Sequence, residues 1–323
     1  MKKTIIILIA IIAITTTATA QQNIADKAWT NGDMEYRVQS KGNVFLFYGH
    51  DRNEGGFGFA LTKRTDGKMY ISEIQNEEVA YYCFEQYLNS TVEYKLLKGQ
   101  ELLFVRNQKN AIIDIFIVDN LQNISTTALI RYLAGSYTDA NGKNYVFNAN
   151  ATRASGFGTT EQYTFDERQF VPDFIISFGN DKSYRITRKS GVNEVRLHFE
   201  PYMKDNYDEW QPSKTGQSFT LTKKTWDNNV ADKNIQGRYP FTSSRVMTRG
   251  ELILFTNDEL DIMRNEIFAR HGHIFKTARY RDYFNTQSWY KATVNDATSN
   301  LSEIERLNVE QIKAVQDIIK NAN

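Results

Sequence analysis

With a single cysteine, Cys83, among 323 residues, the chain cannot form an internal disulfide. Cys83 lies in the strand-like run VAYYCFEQY and reads as a small buried hydrophobe. Histidine is scarce too, at four, and the only close pair is His271 with His273. A zinc site would need a further ligand from a carboxylate that nothing marks out, so we expect no metal and no cofactor. Charge of one sign is also missing, because 39 Lys and Arg stand against 38 Asp and Glu with no long basic run. That balance excludes the basic face a nucleic-acid partner would require. Neither G-x-S-x-G, H-E-x-x-H nor a P-loop occurs. Gly56-Phe57-Gly58 sits between strands with no helix after it, so it offers phosphate no helix N-terminus.

Long apolar runs are limited to the first residues. Lys2 and Lys3, the short apolar stretch Thr4 to Ile14 and the small residues Ala18-Thr19-Ala20 read as a secretory signal peptide over 1–20. Ten or so apolar residues fall short of a membrane span. No cysteine lies near the cleavage site for a lipid anchor, and no later apolar segment is long enough to span. The expected product begins at Gln21, carries 37 basic and 38 acidic residues, and is soluble in the periplasm or secreted.

From about Asp33 to Asp119, short β-prone runs recur about every 8–12 residues: MEYRV, NVFLFYGH, FGFALTKR, KMYISEI, VAYYCFEQYL, VEYKLL, ELLFVRN and AIIDIFIVD. Asp66-Gly67 and Lys98-Gly99 suit tight hairpins. A meander this long must hide its edges, which predicts a small barrel or sandwich over 21–120. LQNISTTALIRYLAG is weakly helical and leads into a second β module, giving 121–225. Its strands are expected at QYTF, FIISF, SYRITR, EVRLHFEP and SFTLTKK, with MKDNYDEWQPSKTGQ a polar loop over one barrel mouth. Gly135-Ser136-Tyr137 before a strand is similar to the opening of lipocalin-like barrels, with Tyr where Trp is typical. Lys41-Gly-Asn-Val-Phe is echoed by Lys143-Asn-Tyr-Val-Phe, and Gly56-Phe57-Gly58 by Gly156-Phe157-Gly158, as a duplication would produce. Glycine and aromatic residues recurring in any meander would produce the same echo.

Residues 226–238 are polar and aperiodic, hence a linker, and the remainder, 239–323, changes to helical spacing. Thr248 with Glu251 and Thr256 with Glu259 form capping boxes, which predict a short helix from about Arg249 to Phe255 and a longer one from Asn257 to His271, closed by Gly272. Thr277 should cap a helix over ARYRDYFNTQ. Ser302 with Glu305 opens the last helix, whose apolar stripe is Ile304, Leu307, Ala314, Val315 and Ile318. The fold class is therefore multi-domain α+β: two antiparallel β-meander modules followed by a small all-α domain.

The richest stretch is RNEIFARHGHIFKT, followed by YFNTQSWY and LSEIERLNVEQI. With its lead-in GRYPFTSSRVMT it resembles the YARHG domain of bacterial extracytoplasmic proteins, over roughly Tyr239 to Ile319. Phe268 stands where the eponymous motif has Tyr, so a role resting on that hydroxyl is absent. The resemblance implies an exported helical module, for whose polar residues an enzymatic role has been entertained.

At about 100° per residue, Arg264 and His271 share the core-facing side of the longer helix with Leu260, Met263 and Ile267, while Glu266 and Arg270 lie towards the flank. As an enzyme, the chain would use His271 as acid or base and Glu266 as its partner, with Arg264 and Arg270 holding an anionic group. Against this, Glu266 and His271 are about 140° apart around the helix and need an outside partner to converge. On the structural reading, Arg264 and His271 bond to carbonyls and carboxylates of neighbouring helices and pin a small module. Trp289 and Tyr290 either plug a small core or, if open, stack on a sugar or peptide of the cell envelope. Sequence thus favours an exported binding protein, with an envelope enzyme and a β-barrel carrier of a small apolar ligand as the alternatives.

Overall fold

The computed structural model describes residues 24, 27–30, 35–41, 44–51, 55–75, 87–118, 124–158, 161–165, 174–179, 182–191, 194–206, 208–226 and 234–321. The expected signal peptide, Cys83 and the middle of the 226–238 segment lie outside these residues. The chain divides into two compact units, Met1–Ile124 and Ser125–Asn323.

In the first unit, β1 (Ala28–Thr30), β2 (Glu35–Lys41), β3 (Val44–Asp51), β4 (Gly55–Lys63), β5 (Met69–Gln75), β6 (Thr91–Leu97), β7 (Gln100–Arg106) and β8 (Ile112–Val118) run antiparallel to their neighbours. β1 returns to β8, with Trp29 opposite Val118, so the meander closes into a barrel and leaves no free edge. The two-residue period carries Phe45 and Phe47 of β3 inward, and Phe47 stacks on Phe59 at 4.6 Å between centroids while Tyr36 and Phe116 pack around them. Lys98 and Gly99 both take positive φ (47° and 81°), as the tight β6–β7 turn requires. Two expectations change. The strand β1 is too short to stand out in sequence, and the run predicted as a strand over 79–88 ends in a turn at Tyr87–Asn89, its earlier part lying outside the described residues.

The second unit opens with helix α1 (Ile124–Leu133). It continues through β9 (Gly135–Thr138), β10 (Asn144–Phe147), β11 (Arg153–Ser155), β12 (Glu161–Phe165), β13 (Phe174–Phe178), β14 (Lys182–Ser190), β15 (Val195–Lys204), β16 (Trp210–Pro212) and β17 (Phe219–Lys223). The sheet order is β14-β13-β12-β11-β10-β9-β17-β15-β16, and a long β14–β15 pairing brings the sheet round on itself. The echo with the first unit stops at the glycines: Gly56 and Gly58 lie within β4, whereas Gly156 and Gly158 form a bend with φ of 101° and 137°.

The helices that follow are α2 (Phe241–Ser244), α3 (Arg249–Leu252), α4 (Asn257–Arg270), α5 (Ala278–Asn285) and α6 (Glu303–Asn321). All three capping boxes are present, each with the hydroxyl accepting from the N3 amide and the carboxylate accepting from the N-cap amide. α3 stops at Leu252, three residues before the predicted end. α4 ends at Arg270 with His271 as its cap, and Gly272 follows at φ +76°. Thr277 occupies the cap of α5 without a side-chain hydrogen bond. On α6, Ala314 and Ile318 face solvent, and Asn308, Gln311, Ile312 and Gln316 are buried beside Ile304, Leu307 and Val315. The buried face of α6 therefore includes amides, because the partners it meets are polar. One core runs from the sheet (Tyr137, Phe199, Leu221) into the helices (Phe255, Met263, Ile312), so sheet and helices of this unit are packed as one body.

Candidate functional site

α4 supplies the chemistry of this region through two residues one turn apart. The Glu266 side chain is fully buried, and its carboxylate accepts the amide N–H groups of Arg238 and Tyr239, each at 2.7 Å. Arg270, also buried, donates from Nη2 to the same carboxylate. Its other donors go to Gln236 O from Nε (2.6 Å), Tyr239 O from Nη2 (2.9 Å), and Thr242 Oγ1 (3.0 Å) and Ser243 Oγ (2.9 Å) from Nη1. A guanidinium has five N–H groups, and all five are consumed within the protein. Burial pushes the Glu266 carboxyl up and the Arg270 guanidinium down, each opposed by the other's charge.

His271 points elsewhere, to α6. Its Nε2 lies 2.9 and 3.0 Å from the two oxygens of Glu305. Glu305 also accepts from Ser243 Oγ at 2.6 Å and from Ser302 N at 2.8 Å. Burial raises its carboxyl, but these hydrogen bonds outweigh burial and hold it below the usual carboxylate range. Ser243 thus connects the two clusters, receiving from Arg270 and donating to Glu305.

The helical-wheel assignment is therefore reversed. Arg270 and Glu266 are the buried pair, while Arg264 retains 30% of its side-chain exposure and His271 27%. Arg264 donates to Gln316 at 2.9 Å and sits 3.6 Å from Asp261. The wheel assumed solvent along the Glu266 flank, but the segment 236–245 lies there and turns that flank into interior.

That segment is also one wall of a cleft of about 560 Å³. Gln236, Gly237, Arg238 and Pro240 form this wall; Val195 and Lys223 to Trp226, from the end of the sheet, form another. Tyr283, Gln287 and Trp289 close the helical side. The volume is in the usual range for small-molecule sites, about 300–1,000 Å³. Trp289 is half-buried and lines the cleft, whereas Tyr290 does not: its hydroxyl donates to His273 O at 2.6 Å and its ring packs on Phe275 and Phe284. The expected aromatic pair thus divides into one cleft residue and one core plug.

Three cleft residues, Lys223, Trp226 and Arg238, went unmarked in the sequence. Lys223, 9% exposed, donates to Tyr132 O at 2.6 Å and lies over the Trp226 ring 3.2 Å from its centroid. Burial drives its ammonium well below the ordinary lysine range. Arg238 sits over the Tyr283 ring at 5.6 Å. The available signal was the tryptophan and glycine placed inside an otherwise polar connecting segment, where a plain tether needs neither.

A second cavity, of about 990 Å³, opens on the sheet beside Phe165, Tyr184, Tyr202 and Trp210. Residues of the polar excursion 203–217 contribute to it, and the stretch expected as a loop contains the short strand β16. Among the described residues, no group of three or more His, Cys, Asp and Glu is placed to hold a metal, and no helix is long and apolar enough to cross a membrane.

Residues 240–317, from the start of α2 into α6, match the family model of the YARHG domain. No curated protein and no solved structure matches the chain.

Proposed function

We propose that this chain, whose C-terminal quarter is a YARHG domain, is an exported bacterial protein that binds a component of the cell envelope in the cleft beside that domain, without catalysing a reaction. The observation that carries this reading is the complete internal use of Arg270 and Glu266. A catalytic pair must present a donor or acceptor to substrate, and here four N–H groups of Arg270 go to Gln236, Tyr239, Thr242 and Ser243, the fifth goes to Glu266, and both oxygens of Glu266 accept within the protein, from the amides of Arg238 and Tyr239 and from Arg270. Their effect is to fix the segment that forms the cleft wall.

The enzyme alternative needs a nucleophile, a base and an orienting acid in sequence. Ser243 donates to Glu305 and not to His271, so the serine meets the acid where it should meet the base. For the carrier alternative, the rings filling the first barrel (Tyr36, Phe47, Phe59, Phe116) and the second sheet (Phe157, Phe178, Phe199, Phe219) favour a packed interior over an enclosed apolar ligand.

Export follows from residues 1–20, with cleavage after Ala20 and a product in the periplasm or outside the cell. N-terminal sequencing of the extracytoplasmic protein should begin at Gln21; an intact Met1 in the membrane fraction would contradict it. Binding is tested by sedimentation with insoluble peptidoglycan. The wild type should pellet, and a Trp289→Ala variant with unchanged circular dichroism should stay in the supernatant. A wild-type protein left in the supernatant, or a variant pelleting equally, would refute the cleft assignment.

A further inference from the structure

We infer that the cleft takes a carboxylated sugar, with its ring on Trp289 and its carboxylate towards Lys223 and Arg238. The inference rests on the cleft reading above and adds the ligand's chemistry. Its first support is charge. Lys223, Lys224 and Arg238 line the cleft with one acid, Glu194, and the Glu194 carboxylate is paired with Arg196 at 2.5 Å. The Glu266 carboxylate behind the wall already accepts two amides, one of them that of Arg238, and Arg270. The residues lining the cleft therefore carry more positive than negative charge, with the buried carboxylates of Glu266 and Glu259 acting on Arg238 and Lys223 from behind the wall.

The second support is the state of Lys223. An ammonium has three donors. The Lys223 ammonium, buried at the cleft, meets one neutral carbonyl and the face of Trp226, and no carboxylate within ion-pair distance among the described residues. Burial disfavours the charged ammonium and the buried Glu259 carboxylate offsets this only in part, so an anionic ligand group would stabilise the charge while forming a charge-assisted hydrogen bond.

The third support distinguishes a sugar from a simple anion. Trp289 offers a half-buried ring surface, and Gln236 and Gln287 offer amide groups, the mixture that suits a face of C–H groups rimmed by hydroxyls. Arg238, lying on Tyr283, is held where it can serve both the ring and the carboxylate.

The test is calorimetric titration of the full-length secreted protein with N-acetylmuramic acid and with N-acetylglucosamine, which lacks the carboxylate-bearing substituent. The acid should bind at least about tenfold more tightly. Lys223→Met and Arg238→Gln should each weaken the acid more than the neutral sugar, so that the tenfold advantage is lost. Circular dichroism reports whether Lys223→Met folds; if it does not, Arg238→Gln alone carries the comparison. Equal affinity for the two sugars, both lost in Trp289→Ala, would overturn the carboxylate assignment and leave the cleft standing. Binding of neither sugar would overturn the assignment as well, with peptidoglycan sedimentation deciding separately on the cleft. Sugar binding that Trp289→Ala leaves intact would overturn both.

Discussion

A β-carbon at position 237 would lie 2.5 Å from Oε1 and 2.8 Å from Oε2 of Glu266, so the Glu266 carboxylate fills the space above Gly237 that any other residue would need. The glycine also has φ +110°, outside the comfortable range of an L side chain. Gly237→Ala should therefore cost about 1–3 kcal/mol through backbone strain, and more if the carboxylate is displaced. Urea unfolding of the full chain measures it, and a variant as stable as wild type would mean that segment 236–239 does not rest on Glu266.

The two arginines of α4 should fail differently. Arg270→Ala strands a buried carboxylate and two carbonyls, which should cost about 3–5 kcal/mol. Arg264 is part-exposed and its contact with Asp261 is long, but it donates to the buried Gln316, so Arg264→Ala should cost about 1–2 kcal/mol, less than Arg270→Ala. The comparison uses denaturant midpoints of the two variants. A reversed order would restore the helical-wheel assignment.

Acid stability should depend on Glu251. Its buried carboxylate receives Arg245 at 2.8 Å, Arg131 at 3.0 Å and Thr248 N at 3.0 Å. Burial pushes the carboxyl up, but Arg245, Arg131 and these hydrogen bonds prevail and hold it at about 2, against 4.5 when unperturbed. A carboxyl lowered in the folded state stabilises above its unfolded pKa and loses that contribution as pH falls through the folded one. The contribution, on the order of 3 kcal/mol, is thus full above about pH 4.5 and lost between there and about pH 2. Glu251→Gln should lower stability at neutral pH and flatten the fall across this window, read by thermal melts from pH 7 to pH 2. Parallel pH profiles for the two proteins would contradict it.

The sequence made the local devices legible and the long-range ones illegible, for a physical reason. Capping boxes at Thr248, Thr256 and Ser302 involve residues three apart, and the antiparallel meander of the first unit follows from alternation and turns, so pattern alone predicts them, while its closure as a barrel and not a sandwich rests on the pairing of β1 with β8. The orientation of α4 depends on Arg238 and Gln236, whose backbone atoms lie 28 and 34 residues from their partners Glu266 and Arg270. A wheel cannot register a segment that returns from so far to cover a flank. The same limit explains α6, where Asn308 is buried because its amide donates to the carbonyls of Thr242 and Arg245, and not through any hydrophobic period. Trp289 was identifiable as an aromatic wall but not separable from Tyr290, since only the Tyr290 hydroxyl bond to His273 O assigns the latter to the core.

The central claim is that Glu266 and Arg270 shape the cleft wall and perform no chemistry. Amide hydrogen exchange at Arg238 and Tyr239, measured in wild type and in Glu266→Gln together with peptidoglycan sedimentation, tests it most directly. The account predicts that both amides are protected in wild type, and that protection and sedimentation are lost together in the variant while the rest of the helical region stays folded. Two amides that exchange freely in wild type, or a variant that loses their protection and still pellets with peptidoglycan, would contradict it.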